Sequence, residues 1–508
     1  MSAWEPRQRI VVIGAGMVGH RFVDDLVRRD VEGRYAITLV GAEDYPPYNR
    51  ILLSDVLAGR CDVGGLALPA PDPAVDLRLG STATALDLDA GQVELRDGER
   101  VAFDHVVLAT GARAFVPPMP GLEDGLPRDG YVLRSLDDCR DIAARALNAR
   151  RAVVLGGGLL GLEAACGLAR RGVEVTLVDV APHLAAAQLD EPAARVLADT
   201  LDDLGIAVHA GATVAGIEVD GDRVRGIALD GPDGTLTLPA DLLLVSCGIR
   251  PRDELARSAG LPCGRGVSVG VDLRSPADAR VAAIGDCAEG NPGLVAPGWE
   301  QAGRLAAALV ETGPPRPPRP TTSAPVRLKA AGVDLVTAGV RGSQALADDR
   351  VVTVHDHLGR RHLEVVVRGS RLIGTTCVGA PDLASGLVVA YDRGTLVPAD
   401  PLAMLLPEQA ETDGSPALMP AATPVCRCNG VAKRDVVDAW EQGARSVADV
   451  AAATRATTGC GGCRPVVCGL VDWLTASDPD SSQPAGSDGE DTVPAAQHEC
   501  TPAEIPSS

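Results

Sequence analysis

Two stretches of the chain share a pattern of apolar and polar positions that predicts a strand, a tight turn and a helix. Residues 9–19 read RIVVIGAGMVG and lead into HRFVDDLVRR, where apolar residues recur at helical spacing. Residues 152–161 read AVVLGGGLLG and lead into a second helical pattern. Continuous runs of β-branched residues are typical of strands buried on both faces, as in parallel sheets. The pattern therefore predicts an α/β protein with two similar strand–turn–helix units.

Both turns carry the glycine spacing of a dinucleotide-binding loop. The spacing G-x-G-x-x-G is formed by Gly14, Gly16 and Gly19 in the first turn, and by Gly156, Gly158 and Gly161 in the second. Such glycines allow a tight turn, a close approach to a pyrophosphate and close packing of helix on strand. Glu43 and Asp179 stand at or beyond the end of the next strand of each unit, where a carboxylate accepts hydrogen bonds from a ribose. Two bound dinucleotides are therefore expected.

Asp179 favours NADH over NADPH as the second nucleotide. A carboxylate at this point accepts from a free 2'-hydroxyl and repels a 2'-phosphate. Arg170 and Arg171, which could pair with a 2'-phosphate, precede the strand that ends at Asp179. NADPH stays possible, because the reach of these arginines does not follow from the sequence.

Two further strand ends extend the pattern. VVLA is followed by Thr110 and Gly111, and VAAI is followed by Gly285 and Asp286. Either one alone is an ordinary turn at the end of a strand. Together with the glycine turns, and in this order, they resemble the flavoproteins with two dinucleotide-binding domains, such as glutathione reductase and bacterial ferredoxin reductases.

That resemblance implies a fold, a cofactor set and roles for residues. It implies a glutathione-reductase-like FAD domain with an inserted NAD(P)H domain, followed by a small α+β covering domain. The residues it assigns to FAD are Gly14, Gly16, Gly19, Glu43, Thr110, Gly111 and Asp286, with Arg50 as a further flavin contact. Those it assigns to the nicotinamide nucleotide are Gly156, Gly158, Gly161, Glu163 and Asp179. Glu163 is the candidate catalytic residue, although the lysine that pairs with it in many ferredoxin reductases is Asp55 here.

Four of the thirteen cysteines lie near the end of the chain in a C-x-C and a C-x-x-C pair. They are Cys426, Cys428, Cys460 and Cys463, and 31 residues separate the pairs. Four thiolates fit either zinc or an iron–sulfur cluster, and the spacing does not choose between them. The segment resembles the bacterioferritin-associated ferredoxin-like [2Fe-2S] domain. In it we expect a helix from about Lys433 to Glu441 and a second helix capped by Ser446.

The remaining cysteines do not form the redox pairs of disulfide reductases. Such enzymes need C-x4-C after the first nucleotide acid or C-x-x-C in the inserted domain, and neither motif is present. Cys61 stands alone, and Cys166, Cys247, Cys263 and Cys287 are also isolated, which favours small buried residues over redox centres.

The expected organisation follows the motifs in chain order. The predicted segments are 1–122 and 245–313 for the FAD domain, 123–244 for the NAD(P)H domain, 314–325 for a proline-rich joint, 326–408 for the covering domain, 409–424 for a linker, 425–474 for the small helical [2Fe-2S] domain, and 475–508 for a disordered acidic tail.

This order of domains resembles the first half of the large subunit of NAD(P)H nitrite reductases, over about residues 8–470. It also resembles the electron-transfer subunit of assimilatory nitrate reductase. The resemblance implies that electrons pass from NADH through FAD and the cluster to a molybdenum nitrate reductase catalytic subunit or a nitrite reductase. The cysteines that a large subunit uses to reduce nitrite itself are not expected here. Alternatives are a ferredoxin or rubredoxin reductase, or a zinc-containing flavin redox sensor.

The composition bears on which kinds of partner the protein binds and on where in the cell we expect it. The net charge of −21 argues against nucleic acid as a partner. The sequence offers no apolar run long enough to span a membrane and no leader-type segment at its start. Thirteen cysteines in such a chain favour the reducing cytoplasm, with thiolates that bind a metal or cofactor.

Overall fold

The structure, a computed structural model, describes residues 7–231, 234–311, 325–406, 416–426, 429–459 and 461–477. The chain divides into two compact units, Met1–Glu408 and Gln409–Ser508. Apart from residue 325, the predicted proline-rich joint lies outside the described residues, as does the predicted acidic tail from residue 478 onward. Among the helices in the described ranges, none is both long enough and apolar enough to cross a membrane.

The first part of the larger unit builds a parallel sheet around its first strand. The strands of this part of the chain are β1 Gln8–Ile13, β2 Tyr35–Val40, β3 Asp76–Arg78, β4 Ala83–Asp87, β5 Gln92–Leu95, β6 Arg100–Ala102, β7 His105–Leu108 and β8 Ala112–Ala114, and its helices are α1 Met17–Arg29 and α2 Leu53–Leu57. Strands β4, β5 and β6 form a separate antiparallel sheet. Strand β1 pairs in parallel with β2 and with β7. Val11 and Ile13 enter one apolar core while Ile10 and Val12 enter another, so β1 is buried on both faces as its sequence predicts.

The middle part repeats this arrangement. Its elements are β9 Gly130–Tyr131, α3 Leu136–Ala146, β10 Arg151–Leu155, α4 Leu159–Arg170, β11 Glu174–Asp179, α5 Glu191–Asp203, β12 Ile206–Ala210, β13 Thr213–Asp220, β14 Arg223–Gly231, β15 Gly234–Pro239, β16 Leu242–Val245, β17 Ile249–Pro251 and α6 Glu254–Ser258. The parallel sheet has the order β12-β11-β10-β16-β9, and β13, β14 and β15 form an antiparallel sheet. Strand β10 lies in the centre, as β1 does in the first sheet.

The chain then returns to the first sheet. The elements that follow are β18 Cys263–Gly264, β19 Gly266–Val267, β20 Val281–Ala283 and α7 Val295–Val310. Strand β20 pairs in parallel with β7, which gives the first sheet the order β20-β7-β1-β2-β3. The middle sheet is therefore inserted, in sequence, between strands of the first sheet.

An antiparallel sheet with one helix closes the larger unit. It consists of β21 Val326–Leu328, β22 Leu335–Gly339, β23 Arg350–Asp356, β24 Arg361–Arg368, β25 Arg371–Val378 and α8 Pro381–Arg393. Short 3₁₀ turns elsewhere in this unit cover Arg50–Leu52, Val63–Leu66, Gly285–Cys287, Gly342–Gln344 and Pro401–Leu405. Arg360 bridges to Asp199 at 3.0 Å and to Asp203 at 2.8 Å, both on α5, so ion pairs tie this sheet to the middle part.

The smaller unit is mainly helical. It contains a 3₁₀ turn at Pro416–Leu418, then β26 Pro424–Cys426, β27 Val431–Ala432, α9 Lys433–Glu441, α10 Val447–Thr454 and α11 Arg464–Ser477. The expected helix over Lys433–Glu441 is confirmed, and the Ser446 side chain caps α10 by accepting from the Asp449 amide. The apolar faces of the helices meet in one core.

Lys433 holds the start of the smaller unit against its helices. Its side chain is 7% exposed, and Nζ donates to the carbonyl oxygens of Pro416 at 2.6 Å and Met419 at 2.7 Å. The ammonium also lies 5.0 Å from the centre of the Trp473 ring.

We predict that Lys433→Met weakens the smaller unit by about 1–3 kcal/mol, because two carbonyl groups lose a charged donor. Hydrogen–deuterium exchange of peptides from α9 and α11 measures the loss as faster exchange. The exposed neighbour Arg434 provides the control Arg434→Met, which should leave exchange unchanged. Equal exchange in the wild type and Lys433→Met would contradict the prediction.

Candidate functional site

The first glycine turn is shaped by backbone contact. Gly14 has φ +120°, and a Cβ added there would lie 2.1 Å from the carbonyl oxygen of Ala109. A Cβ on Gly19 would lie 1.9 Å from the Gly14 oxygen. Gly16 is open, and the nearest atom to its added Cβ is Nε of Arg50 at 3.9 Å. Gly14 and Gly19 therefore allow close backbone packing inside the turn, while the backbone at Gly16 stays accessible to a ligand.

Glu43, the acid after the second strand, joins a small polar network beside this turn. Its carboxylate accepts from the Tyr48 hydroxyl at 2.7 Å and from the Arg50 guanidinium. The Tyr48 hydroxyl in turn accepts from the Leu136 amide at 2.9 Å, and burial raises the pKa of Tyr48 above its ordinary value. Arg50 also lies 4.6 Å above the Tyr48 ring. The structure thus brings together Glu43 and Arg50, both of which the sequence predicts as site residues. It adds Tyr48, which the sequence analysis does not single out.

Asp286 connects to the same network through a residue that sequence reasoning missed. Its carboxylate accepts from Arg134 at 3.1 Å, and the Arg134 carbonyl accepts from Arg50 at 3.1 Å. Arg134 stands in a loop just before α3 and belongs to no motif, so the sequence carries no signal for it. Glu43, Arg50, Arg134 and Asp286 consequently form one connected chain of polar contacts.

Thr110 and Gly111 lie where the chain passes between the two parallel sheets. The Thr110 hydroxyl donates to the Arg252 carbonyl at 2.6 Å, and the Gly111 carbonyl accepts from the Arg252 amide at 2.9 Å. Gly111 has φ +71°, a conformation that favours glycine. The contacts of these two residues link the turn between β7 and β8 to the segment that follows β17.

The second glycine turn has the same construction as the first. A Cβ on Gly156 would lie 2.4 Å from the Ser246 oxygen, and one on Gly161 would lie 1.9 Å from the Gly156 oxygen. No atom lies within 4 Å of a Cβ added to Gly158. Again the middle glycine is the open one.

Asp179 faces this second turn. One carboxylate oxygen accepts from the Gly157 amide at 2.7 Å, and the other accepts from the Ala181 amide at 3.0 Å. Arg171 points elsewhere, because its guanidinium donates to the carbonyl groups of Val56 and Leu57 beside α2. Two backbone amides thus hold the Asp179 carboxylate at the end of β11. The contacts of the Arg171 guanidinium lie beside α2 instead.

Glu163 lies in a polar junction of three chain segments. Its carboxylate accepts from the Ser54 hydroxyl at 2.6 Å and from the Lys329 amide at 3.2 Å. The Lys329 ammonium lies 3.9 Å from Asp55 and donates to the carbonyl of Ile51. The ammonium of Lys329 therefore lies near Asp55, the position that many ferredoxin reductases fill with a lysine. Lys329 follows β21, far along the chain, and no local motif pointed to it.

The isolated cysteines are protected rather than activated. Burial raises the pKa of Cys166 to about 12, and that of Cys139 and Cys377 to about 11. Cys247 is partly buried, and its pKa is also raised to about 11. Cys139, Cys166, Cys247, Cys263, Cys287 and Cys377 are free thiols. These thiols are mainly uncharged at neutral pH, which does not suit a thiolate nucleophile.

The described part of the C-terminal cysteine site shows two of its four predicted ligands. Cys426 is 2% exposed and Cys463 is 9% exposed, whereas Cys428 and Cys460 lie outside the described residues. The Thr457 amide donates to Cys463 Sγ at 3.2 Å. Over the described ranges, no group of three metal-ligating side chains is found. Buried sulfurs that receive N–H donors suit the thiolates of an iron–sulfur cluster.

Two family models match the chain. Residues 8–302 match the model described as pyridine nucleotide-disulphide oxidoreductase, and residues 424–473 match the BFD-like [2Fe-2S] binding domain. These matches confirm the expected fold class and the expected cofactors FAD, NAD(P)H and a [2Fe-2S] cluster.

Two relatives of this chain carry names from nitrogen metabolism. The chain is 37% identical to the nitrite reductase [NAD(P)H] large subunit of Klebsiella oxytoca, over 92% of this chain and 49% of the relative. It is 30% identical to the assimilatory nitrate reductase electron transfer subunit of Bacillus subtilis, over 93% of this chain and 60% of the relative. The chain thus spans about half to three fifths of the length of these relatives.

Solved structures agree on the fold. The ferredoxin reductase for the CYP199A2 system from Rhodopseudomonas palustris matches with a TM-score of 0.65 and 28% identity, over 73% of this chain and 91% of that one. The covalent putidaredoxin reductase–putidaredoxin complex matches with a TM-score of 0.67 and 26% identity, over 79% and 96% of the two chains.

The two kinds of glycine in the second turn predict two different effects of alanine. Gly161→Ala should lower the free energy of unfolding by about 1–3 kcal/mol, since its Cβ has no room. Gly158→Ala should cost less stability, because it only weakens the N-cap of α4, and it should raise the Kd for NADH, because its Cβ enters the open side of the loop. Chemical denaturation and calorimetric titration separate the effects. Equal destabilisation by both substitutions would contradict this account of the loop.

Proposed function

We propose that this chain, which belongs to the pyridine nucleotide-disulphide oxidoreductase family, oxidises NADH and passes the electrons singly to a separate protein that reduces nitrate or nitrite. NADH yields NAD⁺, a proton and two electrons. When bound, FAD and the [2Fe-2S] cluster supply the conversion of a two-electron donor into one-electron steps. We also propose the cytoplasm as the location, as the cysteine content suggests.

One observation carries this proposal. The same chain joins a flavoprotein region, residues 8–302, to a [2Fe-2S] binding domain, residues 424–473. A reductase that passes electrons to a disulfide needs paired thiols near its flavin, and the sequence of the larger unit has neither of the paired motifs, while Cys139, Cys166, Cys287 and Cys377 are buried. A route out through the cysteine site is consistent with both facts.

The proposed cofactor contacts are those that the motifs predict. For FAD they are Gly14, Gly16, Gly19, Glu43, Arg50, Thr110, Gly111 and Asp286; for the nicotinamide nucleotide they are Gly156, Gly158, Gly161 and Asp179; and for the cluster they are Cys426, Cys428, Cys460 and Cys463. The open middle glycines support the first two sets, since a pyrophosphate can approach their backbone. Glu163 is proposed as a residue near the reacting groups, held by Ser54 and Lys329.

For the acceptor, we propose a molybdenum nitrate reductase catalytic subunit or a nitrite reductase. Support comes from the names of relatives that align with more than nine tenths of this chain. A second candidate acceptor is a small electron carrier such as a ferredoxin or rubredoxin, which the similarity of the larger unit to ferredoxin reductase structures favours.

The position of Asp179 predicts a preference for NADH. Asp179→Asn should lower the ratio of kcat/KM for NADH to that for NADPH by about tenfold or more, because a hydrogen bond to a charged acceptor contributes roughly 1.5–3 kcal/mol. Glu174→Gln, at the exposed start of the same strand, is the matched control and should leave the ratio unchanged. An unchanged ratio in Asp179→Asn would show that this carboxylate does not select the nucleotide.

The route of the electrons is tested by removing one cluster ligand. In Cys463→Ser, NADH-dependent reduction of ferricyanide, which can take electrons from a flavin directly, should persist. NADH-dependent nitrite formation in a mixture with a purified molybdenum nitrate reductase should fall to background. If Cys463→Ser supports nitrite formation as well as the wild type does, the cysteine site is not the outlet. Electron transfer by the wild type to a ferredoxin, and to neither reductase, would select the second candidate.

A further inference from the structure

Asn429 occupies the centre of a hydrogen-bonded loop beside the cysteine site. Its side-chain amide nitrogen donates to the Arg455 carbonyl at 2.6 Å and to the Thr458 hydroxyl at 3.2 Å, and it lies 3.8 Å from Cys426 Sγ. The Thr458 hydroxyl also donates to the Arg455 carbonyl, at 2.9 Å. Because the Arg455 carbonyl can only accept, the nitrogen of the amide must face the loop.

The loop that Asn429 holds has an unfavourable backbone. Arg455 has φ +63° and Thr457 has φ +68°, and neither residue is glycine. A β-branched residue such as Thr457 rarely adopts this conformation, so the surroundings must fix it. Ala456, between the two, is fully buried and anchors the loop in the core of the smaller unit.

The strained conformation has a consequence for a cluster ligand. It directs the Thr457 amide to Cys463 Sγ, at 3.2 Å. The Asn429 side chain therefore lies near one cysteine, Cys426, and it also fixes the loop whose Thr457 amide donates to a second, Cys463. An N–H group that donates to a ligating sulfur stabilises the extra negative charge of a reduced cluster and so raises its midpoint potential.

We infer that Asn429 is a positioning residue that sets the midpoint potential of the [2Fe-2S] site, by holding loop 455–458 so that Thr457 donates to Cys463. This inference deepens the proposed function and rests on it, since the cysteines must hold a redox-active cluster. Asn429 itself need not bind iron or contact an electron acceptor.

The test is a redox titration of the full-length protein, in which the S = 1/2 electron paramagnetic resonance signal of the reduced cluster is followed against potential. Asn429→Leu has a similar size but no donor, and its midpoint potential should shift to a more negative value. Thr458→Val removes one acceptor of the Asn429 amide and should cause a smaller shift in the same direction. Thr458→Val carries the test alone if Asn429→Leu does not retain its cluster.

Ser446→Ala is the matched control. It removes the cap at the opposite end of α10, so it perturbs the same helix without touching the sulfurs, and its potential should equal that of the wild type. Wild-type potentials in the variants that retain their cluster would overturn the inference while leaving the proposed function intact, as would an equal shift in Ser446→Ala. A wild-type protein without the signal would overturn the proposed function and this inference together.

Discussion

Backbone contact at the two glycine turns is the constraint on which the larger unit depends. Gly14 packs on the carbonyl of Ala109 and Gly156 packs on the carbonyl of Ser246, so each turn is pressed against the end of a neighbouring strand. This contact is possible only because β1 and β10 lie at the centres of their sheets, with a parallel strand on either side. The open face of each turn, and the acid that stands beside it, follow from that position.

The sequence predicts those parts of the site in which the chemistry is local. The glycine spacing, the acids that follow the next strand and the helices of the smaller unit each depend on residues of one continuous stretch, so that stretch contains the signal. The capping of α10 by Ser446 is an example, since cap and helix are adjacent.

Other parts could not be predicted, because they depend on long-range contacts between loops. Arg134 reaches Asp286, and Lys329 reaches Glu163, across 152 and 166 positions of the chain. Neither residue stands in a repeated pattern, and only the folded chain brings them to the site. Asn429 lies within a recognised motif, yet its role depends on a loop 26 positions away, whose backbone conformation no propensity favours.

We propose that electrons from NADH leave the flavin through the C-terminal cysteine site. The most direct measurement is an anaerobic titration of the purified protein with NADH, followed by visible absorbance and low-temperature electron paramagnetic resonance. We expect the flavin absorbance to fall while a rhombic S = 1/2 signal grows, and we expect that signal to be missing when Cys460 is replaced by serine. Flavin bleaching without such a signal, in a protein that contains zinc instead of iron and labile sulfide, would contradict the proposal.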